Sequence, residues 1–485
     1  MCSAARGPSE WPREHRHPSH AVQPRRRPRG GPGGYEAALV ARRLGADVTV
    51  IERAGLGGAA VLTDVVPSKT LIATAEWMTN AEFAAGLGIR PGAAAALGKD
   101  ASVDLDVVNT RVRALAAAQS ADIRGRLERE GVRVVIADGR LDGPTDVVAR
   151  SADGSEERFD AHVVLLALGA TPRVLPDAVP DGERILSWTQ LYSLTELPEH
   201  LIVVGSGVTG AEFAGAYHAL GAQVTLVSSR DRVLPGEDAD AAELIENVFR
   251  TRGMTVCSRS RAESARRTET GVEVTLADGR VLEGSHVLLA VGSVPSTVGI
   301  GLEEAGVELT ERGHVRVDKV SRTTARGVYA AGDCTGVLPL ASVAAMQGRV
   351  AMAHALGDAV SPIRLRTVAA NIFTAPEIAT VGYSEAGLEE AGVKYVSAML
   401  PLARNPRAKM MGMQDGFVKL FAHPDAGVVY GGVVVAPRAS ELIFPITLAV
   451  SHRLTVDDVA EAFTIYPSLS GSIAEVARML HHRIA

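Results

Sequence analysis

Cysteine is scarce: 485 residues contain three, Cys2, Cys257 and Cys334, far apart in the chain. That excludes a disulfide scaffold and a cysteine-based zinc site. The thirteen histidines show no ligand spacing, so no metal is expected. Positive charge is not in excess, with 50 Lys and Arg against 56 Asp and Glu and a formal net charge of −6. A chain-wide nucleic-acid footprint is therefore not expected. No apolar run approaches the ~18–20 residues of a membrane span, and none near the start resembles a signal peptide. A cytoplasmic protein without an integral membrane segment is the expectation. Aromatic residues make up only 4%, whereas glycine is abundant, at 49. This suits an α/β protein with many tight strand-to-helix turns, and the length suggests about three domains, at ~100–200 residues each.

Residues 1–29 differ from the rest. Seven arginines (Arg6, Arg13, Arg16, Arg25, Arg26, Arg27, Arg29) and four prolines (Pro12, Pro18, Pro24, Pro28) interrupt any helical or strand periodicity. The segment reads as disordered or misread. From Gly30 the chain becomes periodic at once.

An internal repeat carries the architecture. Gly34-Tyr-Glu-Ala-Ala-Leu-Val-Ala-Arg-Arg-Leu-Gly-Ala-Asp-Val-Thr-Val-Ile-Glu52 matches Gly210-Ala-Glu-Phe-Ala-Gly-Ala-Tyr-His-Ala-Leu-Gly-Ala-Gln-Val-Thr-Leu-Val-Ser228 without a gap. A second pair follows, the strand-like runs ending at Gly169 and Gly292. In the later copy Leu201-Ile-Val-Val204 is a strand, and Gly205, Gly207 and Gly210 form G-x-G-x-x-G ahead of a helix. Those glycines permit a tight turn and close approach of a pyrophosphate to the helix N-terminus. The chain thus holds two related dinucleotide-binding units.

The residues after each second strand bear on nucleotide choice. Glu52 is an acid suited to a ribose 2′-hydroxyl. The later copy has Ser228-Ser229-Arg230 there, with Arg232 nearby, which would accept a 2′-phosphate. NADPH, or both NADPH and NADH, is the expected donor.

The earlier copy is faulty upstream. Gly31 and Gly34 match Gly207 and Gly210, but Arg29 falls at the place of Gly205, and Arg25-Arg-Arg-Pro28 at the place of the Leu201–Val204 strand. Three arginines and a proline cannot form a central strand. Suitable arginine codons read one nucleotide later give valines, then a leucine and a glycine, so a frame error just before Gly30 is the expectation.

With Val328-Tyr-Ala-Ala-Gly-Asp333 and a last domain of about 120 residues, the chain from about Gly30 onward resembles the FAD-containing pyridine nucleotide–disulfide oxidoreductases. The resemblance implies two Rossmann-like domains and a C-terminal α+β dimerisation domain. The implied bounds are residues 30–172 and 302–355 for FAD, 173–301 for NAD(P) and 362–485 for a homodimer interface. It assigns Gly31, Gly33, Gly34, Glu52, Gly58, Gly169, Gly332 and Asp333 to FAD. Gly205, Gly207, Gly210, Ser228, Arg230 and Gly292 go to the nicotinamide nucleotide, and Lys69 with Glu212 forms an ion pair beside the flavin.

The family's G-G-x-C-x-x-x-x-C-x-P-S-K motif is altered. Here Gly57-Gly-Ala-Ala60-Val-Leu-Thr-Asp-Val65-Val-Pro-Ser-Lys69 puts Ala60 and Val65 at both cysteine places. The H-P-T-x-x-E motif becomes Tyr466-Pro-Ser-Leu-Ser-Gly471. Thiols and their acid–base pair are lost together, so disulfide reduction is not expected. The pattern is similar to the actinobacterial NAD(P)H–quinone reductases of the family. It implies hydride passing from NAD(P)H to FAD and two electrons to a quinone, with Lys69, Glu212 and Tyr466 as candidate catalytic residues. The alternatives are a transhydrogenase or diaphorase, and a non-catalytic flavin-binding pseudoenzyme. Met410, Met411 and Met413 are expected to fill core, and Cys334 to be a small buried residue.

Overall fold

The computed structural model describes residues 2–6, 30–84 and 103–484. The fold is α/β, with two Rossmann-like domains and a C-terminal α+β domain. The chain divides into two compact units. One comprises Met1–Pro67, Arg111–Arg173 and Ser293–Ile363; the other comprises Ser68–Thr110, Val174–Gly292 and Arg364–Ala485.

The repeat is reproduced in the backbone. Helices Pro32–Arg43 and Val208–Ala219 each have 12 residues, and their bounds match the sequence repeat end for end. Their N-caps share a conformation, with φ −66° and ψ −172° at Gly31 and φ −72° and ψ −171° at Gly207. The following strands, Asp47–Glu52 and Gln223–Val227, begin in register.

In the second unit, five parallel strands run in the order Thr255–Cys257, Gln223–Val227, His200–Val204, His286–Leu289, Ile185–Ser187. His200–Val204 is central, and its last four residues are buried. That is why it reads as a continuous apolar run.

The first unit departs from the sequence expectation. Its sheet runs Val328–Ala330, Val163–Leu166, Cys2–Arg6, Asp47–Glu52, Arg133–Ile136. The central strand is Cys2–Arg6, antiparallel to both neighbours. Residues 2–6, within the segment read as disordered or misread, form a strand. Residues 25–29 lie outside the described residues. Cys2–Arg6 pairs the facing edges of Asp47–Glu52 and Val163–Leu166, whose interior N–H and C=O groups need partners.

The helix Pro32–Arg43 lies against Ala341–Ala355 where glycines meet: a Cβ on Gly348 would lie 2.1 Å from the Gly33 carbonyl oxygen. A side chain at Gly348 would force the two helices apart, and the Arg349–Glu36 ion pair, 2.8 Å, also joins them. Cys334 is fully buried, and burial pushes its thiol up to about 11, so it is an inert core residue.

The C-terminal sheet is antiparallel, ordered Ala370–Ile372, Glu377–Gly382, Val429–Ala436, Phe417–Ala422, Val396–Pro401. Helices Phe444–His452 and Gly471–Ile484 contribute to its core. The methionines divide: Met413 packs on that core, but Met410 and Met411 are exposed, which corrects their reading as core filling. They close a short helix, Pro406–Met410, whose buried side is Ala408. Lys419 is buried within Phe417–Ala422. Its Nζ lies 3.1 Å from Asp238, 2.7 Å from Asp240 and 2.5 Å from Glu385. Burial alone would lower this ammonium, but the hydrogen bonds it donates to Asp240 and Glu385 and the charge of Asp238 raise it instead. The three acids could suit a cation, and the lysine takes that place. Among the described residues no helix is long and apolar enough to cross a membrane.

Candidate functional site

The second phosphate loop is built from missing side chains. Gly205 has φ +111°, and a Cβ there would lie 2.3 Å from the Ala290 carbonyl oxygen. A Cβ on Gly210 would lie 1.8 Å from the Gly205 carbonyl oxygen. Gly207 differs, because its Cβ would meet nothing within 4 Å. Two glycines therefore shape the turn, and the middle one leaves open space over the helix N-terminus, where an anion is favoured. Gly292, with φ +88°, likewise faces open space at the end of a parallel neighbour of His200–Val204.

The loop after Gln223–Val227 is tied down by Ser228. Its hydroxyl is buried, receives hydrogen bonds from Ser206 Oγ (2.7 Å) and the Arg230 amide (3.1 Å), and approaches the Arg230 and Arg232 carbonyls. These bonds let Ser228 shape the loop that carries Arg230 and Arg232. Arg230 is exposed. Among the described residues, Arg232 Nε is buried with no hydrogen-bond partner.

In the first unit Glu52 ends its strand fully buried, and its Oε1 accepts the Ala54 amide at 2.7 Å. Gly30 leans on that carboxylate so closely that a Cβ would lie 2.3 Å from Oε2. Gly58 packs on Gly31 (2.7 Å from a built Cβ to the amide nitrogen), and Gly34 on Ala167. Gly169, φ +65°, borders open space. Gly332, φ +82°, caps the turn Asp333–Thr335, and its amide donates to Gln347 Oε1 at 2.8 Å. Burial pushes the Asp333 carboxyl above the usual carboxylate range, and the charge of His314 partly offsets this. A buried acid at a strand end, bare glycine turns and a second half-buried acid fit the adenosine and ribityl hydroxyls of FAD.

Lys69 and Glu212 meet, though 143 residues apart: Nζ lies 2.6 Å from Oε2. Glu212 is buried, and Lys69 keeps about a quarter of its side chain exposed. A residue that sequence reasoning passed over completes the group. The Phe373 amide donates to Glu212 Oε1 at 2.9 Å, and Lys69 Nζ lies 4.8 Å from the centre of the Phe373 ring. Nothing in the local sequence marks Phe373, because only tertiary packing brings it to the pair. Ala60 lies in the helix Gly58–Leu62, and Val65 opens Val65–Ala84. Tyr466 is 82% exposed, beside exposed Phe463 and Ile465. Its loop is anchored by Asn405, whose Nδ2 donates to the Ser468 carbonyl and Ser472 Oγ.

Comparison with known proteins gives the same frame. A sequence model of the pyridine nucleotide-disulphide oxidoreductases matches residues 30–348, and one of their dimerisation domain matches residues 368–477. The chain is 55% identical over 460 residues to an NAD(P)H dehydrogenase (quinone) of Mycobacterium tuberculosis, covering 93% of this chain and 92% of that one. It is 33% identical to a dihydrolipoyl dehydrogenase of Chlorobaculum parvum, covering 92% and 94%. The crystal structure of LpdA from Mycobacterium tuberculosis is similar with a TM-score of 0.88 at 54% identity, over 93% of this chain and 98% of that one. Two phosphate loops, the Lys69–Glu212 pair and these matches lead to one conclusion: the chain belongs to the pyridine nucleotide-disulphide oxidoreductase family.

Proposed function

We propose that this protein is an FAD-dependent NAD(P)H:quinone oxidoreductase, acting as a homodimer and without disulfide reductase activity. The observation that carries the reading is the 2.6 Å Lys69–Glu212 pair, retained in a chain whose family thiol positions are Ala60 and Val65. Bound FAD would take a hydride equivalent from NAD(P)H and yield two electrons to the quinone.

The chain's own residues do the rest. Glu52 holds the adenosine ribose, Asp333 the ribityl chain, and Gly31 and Gly58 admit the pyrophosphate, with Gly33 letting the first turn of Pro32–Arg43 sit close to Ala331. Gly205, Gly207 and Gly210 cradle the nicotinamide nucleotide, and Arg230 and Arg232 favour a 2′-phosphate, hence NADPH over NADH. Lys69 supplies positive charge where negative charge builds on the flavin, and Glu212 fixes its direction. Tyr466, on an exposed apolar loop of the dimerisation domain, hydrogen-bonds or protonates the quinone across the dimer interface. The quinone name of the 55% identical relative supports the acceptor class.

The test is turnover of the purified yellow protein with NADPH against menadione, lipoamide and NAD⁺, beside its mass by light scattering. Menadione turnover without lipoamide turnover, from a dimer, is expected. Lipoamide turnover overturns the acceptor assignment, transfer to NAD⁺ alone makes it a transhydrogenase, and a colourless inactive protein makes it a pseudoenzyme. A Tyr466→Phe variant with unchanged menadione turnover removes Tyr466 from the reaction.

A further inference from the structure

Phe373 follows the strand Ala370–Ile372 in a turn held from two sides. Thr374 Oγ1 donates to the Pro376 carbonyl at 2.7 Å, and Arg252 Nη1 donates to the Ala375 carbonyl at 2.9 Å. The Phe373 backbone is thus fixed where its amide meets Glu212 Oε1 and its ring meets Lys69 Nζ. One residue touches both members of the ion pair, by different atoms and different physics.

An ammonium has three donors and no acceptor. Glu212 Oε2 takes one of them. An aromatic face attracts the cation without accepting a proton and without taking a donor into a directed bond. Glu212, for its part, has its second oxygen occupied by the Phe373 amide, so its carboxylate cannot rotate away from Lys69 without breaking a bond to a fixed backbone. Three contacts hold the pair, and about a quarter of the Lys69 side chain stays exposed.

We propose that Phe373 is the positioning residue of the Lys69–Glu212 pair: its amide locks the carboxylate and its ring seats the ammonium, leaving a Lys69 donor free for the flavin. This rests on the reading of Lys69 as the charge that serves the flavin. The residue acts through Lys69 and has no part of its own in electron transfer.

The experiment compares holoprotein carrying Phe373→Leu or Phe373→Tyr with the wild type. One readout is the rate of flavin bleaching by NADPH under anaerobic stopped flow. A second is competitive labelling of Lys69 by acetic anhydride, followed by mass spectrometry, which requires no turnover. Phe373→Leu keeps the amide and removes the ring; it should slow bleaching about 3- to 10-fold with the NADPH half-saturation unchanged, and raise Lys69 labelling by a similar factor. Phe373→Tyr keeps a ring and should restore both. Leu and Tyr variants alike in both readouts overturn the proposal while the proposed function stands. A wild type that NADPH does not bleach overturns the function, and the labelling then still decides whether the ring seats Lys69.

Discussion

Gly210 sits against Gly205 so closely that one added Cβ would lie 1.8 Å from its carbonyl oxygen, well inside any allowed contact. The two residues are the first and last of the second phosphate loop, and the contact is backbone on both sides, so it cannot yield by a rotamer change. Gly210→Ala should therefore push the loop apart. Overpacking of this kind costs about 1–3 kcal/mol, and NADPH affinity should fall at least roughly tenfold. Equilibrium titration of the variant measures it. Unchanged NADPH binding would show that the turn does not set the site.

Arg232 carries a buried Nε without a hydrogen-bond partner among the described residues, and Arg230, two residues before it, is exposed. Replacing both by alanine should weaken NADPH binding about tenfold and leave NADH binding as it was, since only NADPH carries the 2′-phosphate. Equal losses for the two nucleotides would mean that the arginines merely shape the loop.

Lys419 is the shared ion-pair partner of Asp238, Asp240 and Glu385. Lys419→Met would leave Asp238 buried with its acidic neighbours and no cation. Breaking a buried pair on one side costs about 3–5 kcal/mol. The thermal midpoint of the variant should drop clearly, and a co-substitution that removes the charges of Asp238 and Asp240 should recover part of the loss.

Asp333 gives a pH prediction. Burial raises its folded-state carboxyl above the ordinary value, so on raising the pH the unfolded chain ionises first. The native state is then favoured at the acid end, and this contribution is lost as pH rises from the ordinary carboxylate range through the shifted value. Asp333→Asn should remove that slope from the urea midpoint measured between about pH 4 and 7. The same variant should also lose FAD. Identical slopes for the two proteins would refute the assignment of the slope to Asp333.

Cys2–Arg6 occupies the centre of the first unit's sheet in the antiparallel sense. Deleting residues 2–6 should therefore reduce flavin content and thermal stability together. If the strand belongs instead to a shifted reading of residues 25–29, the combined change Arg25→Val, Arg26→Val, Arg27→Val, Pro28→Leu and Arg29→Gly should make the deletion harmless and raise flavin content. Absorbance of the purified proteins reads both. A deletion without effect in the unaltered chain would show that the slot needs no strand from residues 2–6.

The repeat of Gly34–Glu52 in Gly210–Ser228 was enough to place two helices and two strands in register. Backbone turns, helix caps and apolar strands are local matters, written in the order of glycines and β-branched residues. The loss of cysteine at Ala60 and Val65 was equally local. Tertiary structure decided the rest. Ser228 reads as a ligand contact, and the fold adds bonds to Ser206 and its own loop, because burial obliges a hydroxyl to find partners. Met410 and Met411 read as core but lie outside it, since a short helix buries one face only. Phe373 had no sequence signal at all, for its meaning depends on a lysine and a glutamate that lie far from it in the chain. The central slot of the first sheet was found empty by sequence alone. Only the fold, which cannot leave two interior strand edges unpaired, decided that residues 2–6 fill it.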